Sequence, residues 1–236
     1  MSPDALEIRE DFPILRRRIG DDQLVYLDNA ATTQTPRQVY DVFEEFYTRY
    51  NANVHRGIHA LSHEASVAYE QAHDRVADFL GAEGRAEIVF TKNTTESINL
   101  VANGLRNELG AGDEIVLTEM EHHASLVTWQ QIAKQTGASV RYVPVTETGH
   151  LDMDRAAELI TEDTAIVSVA HVSNVLGTVN PVERLADLAH DNDAYILVDG
   201  AQSAPNRPID VRELDADFFA FSGHKLAGPT GIGGLY

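Results

Sequence analysis

Short apolar runs alternate with amphipathic stretches through most of the chain, and this alternation restricts the folds open to it. Strands are expected at Glu87–Thr91, Glu114–Thr118, Ser139–Val145, Ala165–Ala170, Ala194–Asp199 and Asp217–Ser222. Helices are expected at Ser66–Leu80, Thr95–Leu105, Ser125–Thr136, Asp154–Ile160 and Val182–Asp191, with Gly81 and Gly137 as C-terminal stops. The run Ala194-Tyr195-Ile196-Leu197-Val198 is apolar on both sides of the pleat, as in a strand covered from above and below. The expected class is α/β: a mostly parallel sheet with helices on both faces. Residues 1–20 read as a separate arm with a short helix around Pro3–Asp11, and 21–236 as one domain with no internal linker. The final run Gly231-Ile232-Gly233-Gly234-Leu235-Tyr236 reads as a turn entering another strand, so the expectation is a truncated chain.

Composition narrows the partners. The formal net charge is −19, from 37 acidic and 18 basic residues, and Lys92, Lys134 and Lys225 are the three lysines. Scattered acids with little lysine suit a protein dissolved in a salt-rich cytoplasm, where ions screen self-repulsion. A phosphate backbone would be repelled, which argues against nucleic acid; the basic run Arg16-Arg17-Arg18 is short and flanked by acids. With no cysteine, disulfides and thiolate-held metals are excluded within these residues. Neither a signal-peptide pattern nor a membrane-length apolar run is present, so a cytoplasmic protein is expected.

The chemistry collects at one edge of the expected sheet. Asp199 ends one strand, and Ser222, His224 and Lys225 follow the end of another; ligands bind at the carboxyl edge of open α/β sheets. An amine able to form a Schiff base, beside a carboxylate able to hold a pyridinium nitrogen positive, is what a pyridoxal phosphate (PLP) enzyme requires. Thr94-Thr95-Glu96 opens a helix after a strand, giving either an anion site for a phosphate or a plain N-cap. Glu121-His122-His123 follows a strand end, where one imidazole could stack on a ring and move protons. Asn174, after the strand Ala165–Ala170, either donates to a cofactor oxygen or substrate carboxylate or holds a turn. His55, His59 and His63 recur every fourth residue, but Gly57 weakens a helix there and a further ligand is wanting, so no metal site is expected. The glycines of Gly228–Gly234 are not followed by a helix, which favours a turn over a dinucleotide motif.

Taken in order, Leu27-Asp28-Asn29-Ala30-Ala31-Thr32, Val54-His55-Arg56-Gly57-Ile58-His59, Thr94–Asn99, Glu121–Ala124, His171–Gly177, Asp199–Gln202 and Ser222–Lys225 resemble the class V, fold-type I PLP enzymes. The likeness is strongest to the SufS-type (group II) cysteine desulfurases and runs from about Asp11 to Tyr236. It implies a PLP-binding large domain at 21–236, cut before a C-terminal small domain. It also implies that Lys225 holds PLP and moves protons at the substrate α-carbon, Asp199 pairs with the pyridinium nitrogen and His122 stacks on the ring. Gln202 and Asn174 would contact the ring oxygen, with Asn174 also near the substrate carboxylate. Thr94, Thr95, Ser222 and His224 would bind phosphate, and His55, Arg56 and Glu96 would lie near the substrate. The implied partners are L-cysteine, a second copy of the chain and a sulfur-acceptor protein of iron–sulfur assembly. In such enzymes the sulfur passes to a cysteine on a C-terminal segment, and residues 1–236 hold no cysteine, so they are expected to be inactive alone. Another class V lyase or aminotransferase, such as a selenocysteine lyase, and an inactive partner-binding scaffold are the competing expectations.

The charge imbalance carries a direct consequence. Lowering salt from molar to 0.1 M lengthens the screening distance from about 3 Å to about 10 Å, so repulsion opposes the compact state more strongly. The melting temperature should therefore rise between dilute buffer and molar potassium chloride; equal values by circular dichroism would contradict the reading.

Overall fold

A computed structural model describes residues 5–236. Helix α1 (Ala5–Glu10) is the helix expected around Pro3–Asp11; residues 1–4 lie outside the described residues. Arg9 donates to the carbonyls of Leu15 (2.9 Å) and Leu24 (3.0 Å), and strands β1 (Arg18–Ile19) and β2 (Asp22–Gln23) pair antiparallel. Helix α2 (Arg37–Glu45) runs into a π-helical turn at Phe46–Tyr50, followed by α3 (Ala60–Leu80) and strand β3 (Val89–Thr91). Strands and helices then alternate: α4 (Thr94–Leu105), β4 (Glu114–Thr118), α5 (His123–Thr136), β5 (Ser139–Val143), α6 (Met153–Leu159), β6 (Thr164–Ala170), α7 (Val182–His190), β7 (Tyr195–Asp199), β8 (Phe218–Ser222) and β9 (Gly233–Leu235).

Seven strands form one sheet in the order β3-β9-β8-β7-β6-β4-β5. The pairs from β8 to β5 are parallel, and β9 runs antiparallel to both its neighbours. Successive strand residues point to opposite faces, and both faces are apolar. Ile115, Leu117, Ile166, Leu197 and Ala220 pack with α4 and α5 through Ile98, Val101, Trp129 and Ile132. Their neighbours Val116, Val167, Val169, Ile196, Val198, Phe219 and Phe221 pack on the other face with Leu80 of α3, Ala156 of α6 and Leu185 of α7. This two-faced burial is why the strand segments read as continuous apolar runs, and the α/β class holds.

The departures have local causes. Helix α3 starts at Ala60 rather than Ser66, because His59 caps it, its Nδ1 accepting the Ser62 N–H at 3.3 Å. The Gly57 N–H donates to the Ser62 hydroxyl at 3.0 Å, tying down the turn before it. Helix α2, absent from the sequence expectation, is amphipathic, but it buries none of its residues and leaves its apolar side, with Val42 and Phe43, exposed in this chain. Strand β3 starts two residues late, since Arg85–Glu87 forms a 3₁₀ turn. Strand β5 stops at Val143, leaving Val145 a single bridge to Leu151. Gly81 and Gly137 do end their helices, with φ of 71° and 86°, a left-handed geometry that glycine adopts without strain. No described helix is long and apolar enough to cross a membrane.

Strand β9 sits hard against the start of α4. A Cβ added at Gly233 would lie 2.6 Å from the Phe221 carbonyl oxygen and 2.7 Å from the Asn93 Cα, both backbone atoms that cannot step aside. Gly233→Ala should cost about 1–3 kcal/mol by overpacking. The check is urea unfolding of the variant beside the parent protein, where an unchanged midpoint would count against this packing.

Candidate active site

The carboxyl ends of β6, β7 and β8 open into a cavity of about 400 Å³. Asp199, the last residue of β7, is buried beneath it; its Oδ1 accepts the Ala201 N–H at 2.9 Å, and the described residues offer this carboxylate no other hydrogen bond. Burial pushes its pKa up and makes it a weaker acid, while the Ala201 hydrogen bond and the charges of Lys225 and His122 pull the other way. Gly200 follows because a Cβ there would overlap the Phe219 ring.

Lys225 ends the 3₁₀ turn after β8 and is half-buried in the same cavity. Burial lowers its basicity, opposed by the Asp199 charge, which leaves more of the amine in its neutral, nucleophilic form. Its turn is held from outside the sheet. The Thr33 N–H and hydroxyl both donate to the His224 carbonyl at 2.9 Å, and the Ala227 N–H donates to the Thr33 hydroxyl at 2.7 Å. His224 is partly buried, with its Nδ1 3.1 Å from the Thr32 hydroxyl; burial, then the Lys225 charge, lowers its basicity.

The start of α4 forms another wall. Asn93 caps it, accepting the Glu96 N–H at 2.9 Å, while the Thr94 N–H and hydroxyl reach the Ser222 hydroxyl at 2.9 and 2.7 Å. Thr95 is exposed at the cavity wall, and its N–H makes no bond among the described residues, so the helix end presents donors to an anion. His122 caps α5: its Nδ1 accepts the Ala124 N–H at 3.1 Å, which fixes the ring over the cavity's edge and leaves the proton of the neutral ring on Nε2.

Of the residues singled out from sequence, Thr94, Thr95, His122, Asn174, Asp199, Gln202, Ser222, His224 and Lys225 all line this cavity. Gln202 is buried there, with its amide donating to the Ala30 carbonyl at 2.7 Å. His55, Arg56 and Glu96 do not line it. His55 is exposed with its Nδ1 3.7 Å from Glu70, Arg56 is exposed, and Glu96 turns back to Lys92, accepting its backbone N–H and pairing with its ammonium at 3.4 Å. The His55, His59 and His63 series forms no metal-sized cluster among the described residues. Residues without an expected role matter here too: Thr32 and Thr33 anchor the Lys225 turn, Ala30 and Ala31 line the cavity, and Glu121 lies buried behind it. The conspicuous run Leu27–Thr32 was the available signal for the loop; nothing in the sequence marks Glu121 as buried.

A family model for the class-V aminotransferases matches residues 25–236. The chain belongs to the class-V aminotransferase family. Members of this family are PLP-dependent enzymes. Among its curated relatives are a probable cysteine desulfurase of Halobacterium salinarum, 66% identical over 99% of this chain and 57% of the relative, and a cysteine desulfurase of Haloferax volcanii, 65% identical over 99% and 58%. A solved cysteine desulfurase from Thermococcus onnurineus superposes with a TM-score of 0.93 at 44% identity, covering all of this chain and 57% of that one. One from Escherichia coli superposes at 0.88 and 42%, covering all of this chain and 58% of that one. The chain thus spans somewhat over half the length of the relatives it matches.

Glu121 yields a pH prediction. Burial raises its carboxyl from 4.5 to about 8, with the Asp199 charge adding to the rise and bonds from Ala170 and Thr118 holding it back. Between those values the folded protein keeps a proton that the unfolded chain has lost, so its contribution to stability falls as pH rises. Glu121→Gln removes this loss. The stability of the variant relative to the parent should therefore climb from pH 4.5 to pH 8. Denaturant midpoints that stay parallel across that range would contradict a neutral Glu121.

Proposed function

We propose that the full-length protein is a PLP-dependent cysteine desulfurase of the SufS type, converting L-cysteine to L-alanine and passing the sulfur on for iron–sulfur cluster assembly. The observation that carries this reading is a single cavity in which a buried carboxylate, a desolvated lysine amine and the open end of a helix converge. The cysteine desulfurase relatives on both sides of the comparison point the same way.

The donor set fits the cofactor. The open N-terminus of α4, the hydroxyls of Thr94, Thr95 and Ser222, and His224 suit a phosphate dianion. The uncommitted side of the buried Asp199 carboxylate suits a ring N–H cation, and in this poorly solvated place the pairing is strong. Lys225 is the covalent anchor. When bound, PLP supplies an electron sink for the substrate α-carbon. Asp199 would keep the proton on the ring nitrogen, His122 would cover the ring face, and Lys225 would carry the proton to and from the α-carbon. Asn174 and Gln202, both lining the cavity, would hold the ring oxygen by their amides, and Asn174, the exposed one, would also be available to the substrate carboxylate.

Residues 1–236 contain no cysteine, so the thiolate that accepts sulfur is supplied by another part of the full-length protein. Residues 21–236 are the cofactor-binding large domain in this proposal. A homodimer is supported by the exposed apolar residues Val42, Phe43 and Tyr47 on the α2 side, which line an apolar groove with Phe46 and Tyr69. A salt-rich cytoplasm is supported by the net charge of −19.

The test is turnover. Full-length protein given L-cysteine and a reductant should yield alanine and sulfide, and Lys225→Ala should fall to the rate of free PLP. Asp199→Asn should lose roughly two orders of magnitude in kcat while keeping bound cofactor, since phosphate and amine contacts survive. Normal turnover in either variant, or no alanine from the parent protein, would overturn the proposal.

A further inference from the structure

The parallel ladder between β4 and β6 ends early, with Val116 opposite Val167. Beyond Thr118 the chain leaves β6 and follows β5: the Glu119 N–H donates to the Val143 carbonyl at 3.0 Å, and the Val145 N–H to the Glu119 carboxylate at 3.0 Å. Ala170, the last residue of β6, is thereby left without a strand partner on its β4 side. It stands beside Asp199 in register and lines the cavity. A buried backbone N–H and C=O without partners would be strongly disfavoured.

Two side chains take the missing strand's place. Glu121 Oε1 accepts the Ala170 N–H at 2.9 Å, and the Asn180 amide donates to the Ala170 carbonyl at 2.7 Å. Glu121 Oε1 also accepts the Thr118 hydroxyl at 2.7 Å, and that hydroxyl accepts the Met120 N–H at 3.1 Å. Glu121 is 7% exposed, and its Oε2 is fully buried with no partner among the described residues. The next residue is His122.

We propose that Glu121 is a positioning residue of the cofactor site: its side chain replaces the absent β4 backbone in the ladder and so fixes two cavity walls, Ala170 beside Asp199 and His122 at the cap of α5. The inference rests on the cofactor reading above. The neutral acid is the form that fits, since a carboxylate with one unpaired buried oxygen near Asp199 is strongly disfavoured, and burial raises the group to about 8. An uncharged glutamine can accept the same two hydrogen bonds, whereas alanine can accept neither.

The experiment uses full-length protein stripped of cofactor, with two readouts far below the melting temperature: the Kd for added PLP, and hydrogen exchange of the Ala170 amide before any cofactor is added. Glu121→Ala should speed Ala170 exchange and weaken PLP binding, each by about tenfold or more. Glu121→Gln should stay within about threefold of the parent in both. If the alanine variant does not fold, Thr118→Val, which removes one of the two donors, should show the same changes at smaller size. A folded variant lacking the Glu121 bonds with parental exchange and parental Kd would overturn the proposal, as would glutamine proving as damaging as alanine. Lower thermal stability with unchanged Kd would also overturn it, by leaving Glu121 a purely structural role. A parent protein that takes up no PLP would instead defeat the cofactor reading; Ala170 exchange in the variants then decides by itself whether Glu121 closes the ladder.

Discussion

The parallel pairing of β7 with β8 is the constraint on which the rest of this site depends. It sets Asp199 opposite Ala220 and carries the chain on through Ser222 to Lys225 at the same edge of the sheet. Both strands are buried on both faces, so a slip by one residue would exchange the side chains packed on the two faces and misfit both close-packed layers. A carboxylate and an amine far apart in sequence are thus held in one poorly solvated pocket. There each shifts the other: burial acts against both charges, and their mutual attraction partly restores them.

Elements outside the sheet finish the site by hydrogen bonds to backbone. The loop from Asp28 to Thr33 lines the cavity with Ala30 and Ala31 and clasps the His224 carbonyl through Thr32 and Thr33, while the Gln202 amide holds the Ala30 carbonyl. The Lys225 turn includes Ala227 at φ 59°, a left-handed conformation unusual for alanine, and the Thr33 hydroxyl bonds to that residue's N–H. On the other side the Thr94–Ser222 contacts weld the start of α4 to the end of β8, which is possible because Gly233 lets β9 approach Asn93 so closely. The start of α4 and the turn that carries Lys225 are thereby tied to each other through Ser222.

Much of this was legible in the sequence because the central strands are covered on both sides. Ala194–Asp199 and Asp217–Ser222 read as unbroken apolar runs ending in chemistry, and the glycine stops at 81 and 137 follow from backbone sterics alone. Helix α2 was missed although Val39, Tyr40, Val42 and Phe43 recur at helical spacing, and α3 began earlier than its apolar period suggested because the cap at His59 is a polar signal. The cavity lining was anticipated well where residues follow strand ends. His55, Arg56 and Glu96 were placed near the substrate by resemblance, but within this chain they turn to Glu70, solvent and Lys92. The roles of Glu121, noted only as part of the run before His122, and of Asn180 were not foreseen because their partners are the backbone atoms of Ala170, on a strand distant in sequence from Glu121, and no local pattern announces such a pairing.

The central claim is that the cavity is built around a covalent bond between Lys225 and PLP, and chemical trapping reads this most directly. Protein loaded with PLP, reduced with borohydride and digested should carry the pyridoxyl label on the peptide containing Lys225. Among residues 1–236 the other lysines are Lys92 and Lys134. Label confined to Lys225 is the predicted result; label on Lys92 or Lys134 with none on Lys225 would contradict the account.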